Sequence, residues 1–445
     1  MPDGPFPRLE RGDLPPRIVV PPPGPRSAEL SRRLAATEAP GINTLGASAG
    51  AEPPTAVLVW EEALGANVLD VDGNRFLDLT AGFGVAAVGH RHPRVVRAAA
   101  DQAGRLLHGL GDVAAHPTRV ELAGRLCRLA PVRGAPDDVR VHFAVSGADA
   151  VEIALKTALL ATGRPGVVAF QPSYHGVTLG ALAATSRPAF RSPFAPHLHP
   201  HVHRLPYAAP VDRLTALAAE TPLAAVLLEP VVGREGVIPP PSGWLPDLAA
   251  ACTDHGILLV ADEIFTGFGR TGDLFAVDHE RVRPDLLCCG KALGGGLPIA
   301  ATVGRADLMD AWAPRAGGVE ALHTATHLAN PPACAAALAV LELLRELDLP
   351  GRARRLGERV AARLHPWPDR FAAVREVRGR GLLWGVEFTS AADAKRIAVG
   401  LMDRGVLALA GGPDGNVLQV VPPLTITEEQ LDLALDLLEG ALSGA

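Results

Sequence analysis

Six short apolar runs, at residues 139–145, 166–170, 224–228, 257–261, 286–289 and 300–303, recur through the middle of this chain, with helical or loop stretches between them. Most of these runs stay apolar without alternating, the exception being 139–145 with Arg140 and His142, and such runs suit strands covered on both faces; strands that alternate with helices argue for an α/β fold with a largely parallel sheet. Ligands in such open sheets sit beyond the carboxyl ends of the strands, so the residues just after each run are the first place to look for chemistry.

At 445 residues, 48% of them hydrophobic, the chain is long enough for two or three domains with well-packed cores. A net charge of -6 with no basic stripe excludes a nucleic-acid footprint, and no apolar run approaches the ~18 residues of a membrane span. The N-terminus has no charged stretch leading into an apolar core, and the five cysteines follow no metal spacing. The expectation is a cytoplasmic protein with reduced thiols. Residues 1–26 hold nine prolines and read as an irregular arm over a surface or a partner. Residues 68–79 alternate around Asp72-Gly73, a hairpin signal. An Ala/Leu-rich helix follows Asn330-Pro331-Pro332, to about Leu347.

Of the 42 basic residues only Lys156, Lys291 and Lys395 are lysine, so 42 − 3 = 39 are arginine. Arginine stays protonated, whereas a buried lysine can lose its proton and act as an amine nucleophile. Lys291 ends an apolar run and precedes Ala292-Leu293-Gly294-Gly295-Gly296, where a buried strand meets a glycine-rich turn. Lys156 and Lys395 read as survivors of drift. Ser146-Gly147-Ala148-Asp149 follows one strand candidate and opens a helix to about Leu160. Ser146 and Asp149 make a capping-box pattern, and the free N–H groups of such a helix start also attract phosphate. Asp262 and Glu263 end another strand candidate, and a buried Asp there needs a cationic partner, which a protonated pyridine ring would supply. Tyr174, followed by His175 and Gly176, lies just past residues 166–170, where an aromatic can stack on a planar ring.

Two patterns mislead. Gly267-Phe-Gly269-Arg-Thr-Gly272 spells the dinucleotide-binding pattern, but it neither follows a strand directly nor opens more than a weak helix. Four histidines alternate from His197 to His203, yet Pro200 breaks the strand and no carboxylate or thiol accompanies them, which favours a surface or loop segment without metal.

In combination these residues resemble the class III pyridoxal-phosphate aminotransferases, of fold type I. The densest stretches are residues 70–78, Gly89-His-Arg-His-Pro93, residues 146–152, Tyr174-His175-Gly176, Glu229-Pro230, residues 262–272, residues 291–298 and Pro422-Pro423-Leu424. The resemblance implies a large domain with a mainly parallel seven-stranded sheet flanked by helices, and a smaller α+β domain from both chain ends. It divides the chain into an arm and part of the small domain (1–75), a pyridoxal-phosphate domain (76–330) and a C-terminal small domain (331–445). Lys291 is then the Schiff-base lysine and proton shuttle, and Asp262 faces the pyridine nitrogen. Ile264 and Tyr174 pack on the two ring faces, with His175 in the same cofactor site, and Ser146, Gly147 and Ala148 bind the phosphate. Thr326, in His323-Thr-Ala-Thr326, matches a threonine that completes the neighbouring subunit's phosphate site, implying a homodimer.

Three departures bear on the reaction. Phe265 stands where the family usually has Gln. Gln419 replaces a carboxylate-binding arginine that Glu229 would gate, and Leu159 stands where some members have a second arginine. The leading expectation is an aminotransferase acting by ping-pong on an amino acid or ω-amine and a 2-oxo acid. The departures weaken the case for a dicarboxylate acceptor and leave a racemase, epimerase or lyase on the same scaffold as the alternative.

Overall fold

The computed structural model describes residues 9–39, 57–313 and 320–443. Near the N-terminus, β1 (Trp60–Leu64), β2 (Asn67–Asp70) and β3 (Arg75–Asp78) form an antiparallel ribbon. The expected turn lies between β2 and β3, with Gly73 at φ +87°. The Asp70 carboxylate holds it, accepting from the Asp72 and Asn74 N–H groups (3.0 and 2.8 Å) and from Asn74 Nδ2 (2.9 Å). The described part of the proline-rich arm lies on this hairpin of its own chain. A backbone bridge between Arg17 and Arg75 (2.8 Å in each direction) and two asparagine side chains of the hairpin make the join. Asn67 Oδ1 accepts from the Leu14 N–H (2.9 Å), and Asn74 Oδ1 accepts from Val19 and Val20 (2.8 and 3.1 Å). Residues 1–8 of the arm lie outside the described residues.

The seven strands of the large sheet are β4 (Val139–Ala144), β5 (Gly166–Gln171), β6 (Val202–Pro206), β7 (Leu223–Leu228), β8 (Leu258–Asp262), β9 (Leu286–Cys289) and β10 (Ala300–Arg305). Their order is β4-β10-β9-β8-β7-β5-β6. Strands β5 to β9 run parallel, and β10 runs antiparallel to both β4 and β9. The histidine tract divides at Pro200: His197 ends a short 3-10 turn, and β6, an edge strand that starts two residues beyond Pro200, takes His203 into the sheet. Central strands β7, β8 and β9 are buried at every position, and each large aliphatic side chain so covered contributes roughly 1.5–3 kcal/mol.

The topology sets the location of the chemistry. In the parallel pair β8–β9, Asp262 lies opposite Cys288, so Asp262 and Lys291 leave the sheet at the same edge. Strand β4 points the same way as β9, because β10 is antiparallel to both. Ser146, Tyr174, Glu229, Asp262 and Lys291 therefore all follow strand ends on one edge. The Gly267–Gly272 segment forms turns and opens no helix, so the dinucleotide pattern lacks its required setting. Instead Arg270 is buried and ties the segment to the C-terminal part, donating to the carbonyls of Leu382 (3.0 Å) and Pro422 (2.5 Å).

Helix Pro331–Glu346 ends one residue before the expected limit. Beyond it come β11 (Val374–Arg380), β12 (Leu383–Phe388), β13 (Val406–Leu407), β14 (Leu409–Gly411) and β15 (Val417–Val420). Strand β13 pairs in parallel with β3, and the others form a separate antiparallel sheet. Among the described residues no helix is long and apolar enough to cross a membrane, and no group of three or more His, Cys, Asp or Glu is placed to hold a metal.

Candidate active site

Asp262 is buried at the end of β8. Its Oδ2 pairs with His175 Nδ1 at 2.7 Å, and its Oδ1 accepts from the Ile264 N–H at 3.1 Å. No lysine or arginine among the described residues lies within ion-pair distance of it. His175 is itself fixed: its N–H donates to Thr185 Oγ1 (3.0 Å), whose hydroxyl donates to the Gly176 carbonyl (2.8 Å). The other ring nitrogen, Nε2, is buried without a partner among the described residues.

Lys291 opens a short turn, Lys291–Gly294, with φ +32°. A positive φ is unusual for lysine and is a strain characteristic of functional sites. Its side chain is half-buried, and desolvation lowers its pKa below the ordinary range, with Arg234 adding to the fall while Asp262 and Glu229 oppose it. Nζ stands 4.2 Å from the Phe265 ring centroid. Phe265 fits there because two glycines make room. A Cβ on Gly84 would come within 2.6 Å of the ring, and one on Gly233 still closer.

Helix Gly147–Thr162 begins at the same edge, capped by Ser146 Oγ, which accepts from the Asp149 N–H at 3.2 Å. The expected capping box is only half formed: Asp149 Oδ2 takes the Val145 N–H (2.9 Å) instead of the Ser146 N–H. Its Oδ1 meets His323 Nε2 at 2.9 Å, and His323 Nδ1 meets Lys156 Nζ at 2.8 Å. Lys156 is thus part of a connected chain. Gly147 approaches Ile264 closely, since a Cβ there would lie 2.9 Å from Ile264 Cγ2. A buried acid with no lysine or arginine partner among the described residues, an amine and an anion-attracting helix start lie together, and this donor set fits pyridoxal phosphate.

Glu229 is buried after β7 and has no arginine partner among the described residues. Its Oε1 accepts from the Tyr174 N–H (2.8 Å) and its Oε2 from the Gly233 N–H (3.0 Å). Burial pushes its pKa up to about 7; His175 opposes the rise and the Asp262 charge adds to it. Gln419 turns its amide to the same loop, with Nε2 donating to the carbonyls of Gly233 (3.2 Å) and Arg234 (3.1 Å). The Arg234 guanidinium carbon lies 4.5 Å from the centroid of the Tyr174 ring and 5.1 Å from that of Phe190. Sequence reasoning missed Arg234 and Phe190: one arginine among 39 carries no signal of position.

Two residues lie apart from this cluster. Thr326 is exposed, and no hydrogen bond joins it to residues 146–148 of its own chain. Leu159 is exposed and twelve residues beyond Gly147, roughly 18 Å along the helix. The departure at Leu159 therefore says nothing about this site, a correction to its sequence reading.

The family model "Aminotransferase class-III" matches residues 48–442. Acetylornithine aminotransferase of Methanopyrus kandleri is 41% identical over 378 residues, which is 85% of this chain and 92% of that protein. The probable 4-aminobutyrate aminotransferase of Bacillus subtilis is 35% identical over 407 residues, covering 85% of this chain and 91% of its own length. Among solved structures, a PLP-bound amine transaminase from an uncultivated Pseudomonas species superposes with a TM-score of 0.83 at 32% identity, covering 92% of this chain and 99% of its own. With the sheet, the edge cluster and these similarities together, the chain belongs to the class III aminotransferases and is a pyridoxal-phosphate-dependent enzyme of that class.

Proposed function

We propose that Lys291 is the amine that carries the cofactor and shuttles the proton, and that Asp262 keeps the cofactor ring nitrogen protonated. Pyridoxal phosphate, when bound, supplies an electron-withdrawing ring that stabilises charge at the carbon losing a proton. The observation that carries this reading is the meeting of Asp262 and Lys291 at one sheet edge, as parallel β8 and β9 require. Desolvation lowers the pKa of Lys291 below the ordinary lysine range, the direction that suits an amine which must take up and release a proton. His175 orients the Asp262 carboxylate, Ile264 and Tyr174 enclose the ring, and Ser146, Gly147 and Ala148 hold the phosphate at the positive end of a 16-residue helix. Glu229 and Gln419 border the substrate side.

The donor is an amino acid or ω-amine and the acceptor a 2-oxo acid, bound in alternation. Relatives named for acetylornithine, 4-aminobutyrate and 5-aminovalerate support that class of donor. The working unit is a homodimer in which Thr326 of the partner subunit completes each phosphate site. In support, Leu107, Leu110, Val113 and Val120 are all exposed on a segment joined to residues near Thr326, through Asn330 Nδ2 to the Leu107 carbonyl (3.1 Å) and His116 Nε2 to the Ala329 carbonyl (2.9 Å). An apolar surface of that kind marks an interface. We divide the chain into an arm with part of the small domain (1–75), a large domain (76–330) and a C-terminal small domain (331–445); the seven-stranded sheet, which lies wholly within the second stretch, supports the large domain, while the first limit falls inside β3. Five free thiols suit the cytoplasm.

The test is spectroscopic. The purified protein should show a visible cofactor band that Lys291→Ala abolishes, and single donors should convert it stoichiometrically to the amino form. A colourless protein that binds no pyridoxal phosphate sinks the reading.

A further inference from the structure

We infer that Arg234 is the residue that receives the substrate carboxylate, and that this enzyme selects substrates bearing one; the inference rests on the proposed transferase site and names its substrate class. Arg234 is half-buried on the loop after Glu229, over the rings of Tyr174 (4.5 Å) and Phe190 (5.1 Å). Among the described residues no carboxylate lies within ion-pair distance of it, and its side chain makes no hydrogen bond. Stacking on aromatic rings holds a guanidinium without using its N–H donors, so the planar fork remains available for a bidentate carboxylate.

Two neighbours show that this cation is set apart. Arg187, also beside Phe190 (5.2 Å), is already committed: it binds Glu235 Oε2 at 2.9 and 3.2 Å and the Gly412 carbonyl at 2.6 Å. Glu229 is spoken for by the Tyr174 and Gly233 N–H groups, so it does not compete for Arg234. The loop is pinned on both sides, by the Arg187–Glu235 pair and by the Gln419 amide on the carbonyls of Gly233 and Arg234. Gln419 is therefore a positioning residue that holds the arginine-bearing loop. A half-buried cation with free donors beside Lys291 calls for an anion, and its neighbourhood on Tyr174 makes that anion part of the substrate.

The test titrates hexanoate and glutarate, which carry carboxylates and no amine, into the cofactor-loaded protein by calorimetry. Arg234→Gln should weaken both by about tenfold or more, and Arg234→Lys should recover part of the loss. In parallel, the ratio of kcat/KM for 6-aminohexanoate to that for hexylamine should fall by a similar factor in Arg234→Gln. Wild-type affinity for both acids in a folded, cofactor-loaded Arg234→Gln variant overturns the inference, as does a wild-type protein that binds neither. If no donor is transaminated at all, the transferase reading fails, while the calorimetric difference still decides Arg234.

Discussion

Lys291 Nζ stands 4.2 Å from the centroid of the Phe265 ring, which occupies a slot opened by Gly84 and Gly233. The aromatic ring removes water from one side of the amine and is itself held by the absence of two methyl groups.

That slot yields the first prediction. Gly233 has no positive φ, so Gly233→Ala acts by steric overlap with Phe265 alone. It should cost about 1–3 kcal/mol of stability, the usual size of overpacking. In a Phe265→Ala background the same substitution should cost little. Chemical denaturation of the four proteins of this cycle measures the coupling, and equal penalties in both backgrounds refute the slot.

Asp262 is placed by His175 at 2.7 Å and by the Ile264 N–H at 3.1 Å. Asp262→Asn keeps the shape and removes the charge that, in the proposed role, would hold a ring nitrogen protonated. We expect kcat to drop by about 100-fold or more with the fold intact. His175→Ala should drop it less, because it loosens the carboxylate without removing it. Steady-state rates alongside circular dichroism check the order; an Asp262→Asn enzyme of near-normal kcat contradicts the assigned role.

Glu263 is buried, accepting from the Val277 N–H (2.8 Å) and the Thr266 hydroxyl, and burial pushes its pKa from 4.5 to about 7. A carboxyl whose folded pKa is raised binds its proton more tightly in the native state. Its contribution is therefore most favourable below pH 4.5 and is lost as pH rises to about 7, by up to about 3 kcal/mol. Glu263→Gln should flatten the decline of stability across that window relative to wild type. Parallel slopes for the two proteins in urea melts between those pH values would count against it.

If Thr326 acts in the partner's site, two defective variants should complement each other. Mixed subunits of Lys291→Ala and Thr326→Ala create one site with both residues intact, so unfolding and refolding them together should restore cofactor affinity and activity to about a quarter of wild type, on random pairing. No recovery is expected if Thr326 serves its own chain, and assay of the refolded mixture separates the two.

Much of this was legible in the sequence because it is local. Largely apolar runs gave six of the seven strands of the large sheet to within two residues, all but β6, while Asp72-Gly73 marked the hairpin and the scarcity of lysine drew attention to Lys291. Asp262 stood out because an acid at the end of a buried strand needs a reason to be there. Through-space partners were beyond such reading. Strand β10 is antiparallel to its two neighbours, β6 forms just past Pro200 and pairs at an edge, and Glu229 turns to backbone N–H groups once no arginine stands at 419. Phe265 and Arg234 acquire meaning only from chain segments far away in sequence that fold against them. Periodicity and residue chemistry travel with the chain, so the sequence alone determined which strands form and which residues can react. Desolvation, ion pairing and ring stacking depend on neighbours brought from elsewhere, so only the tertiary structure decided how Lys291 is tuned and that Arg234 stacks on Tyr174 and Phe190.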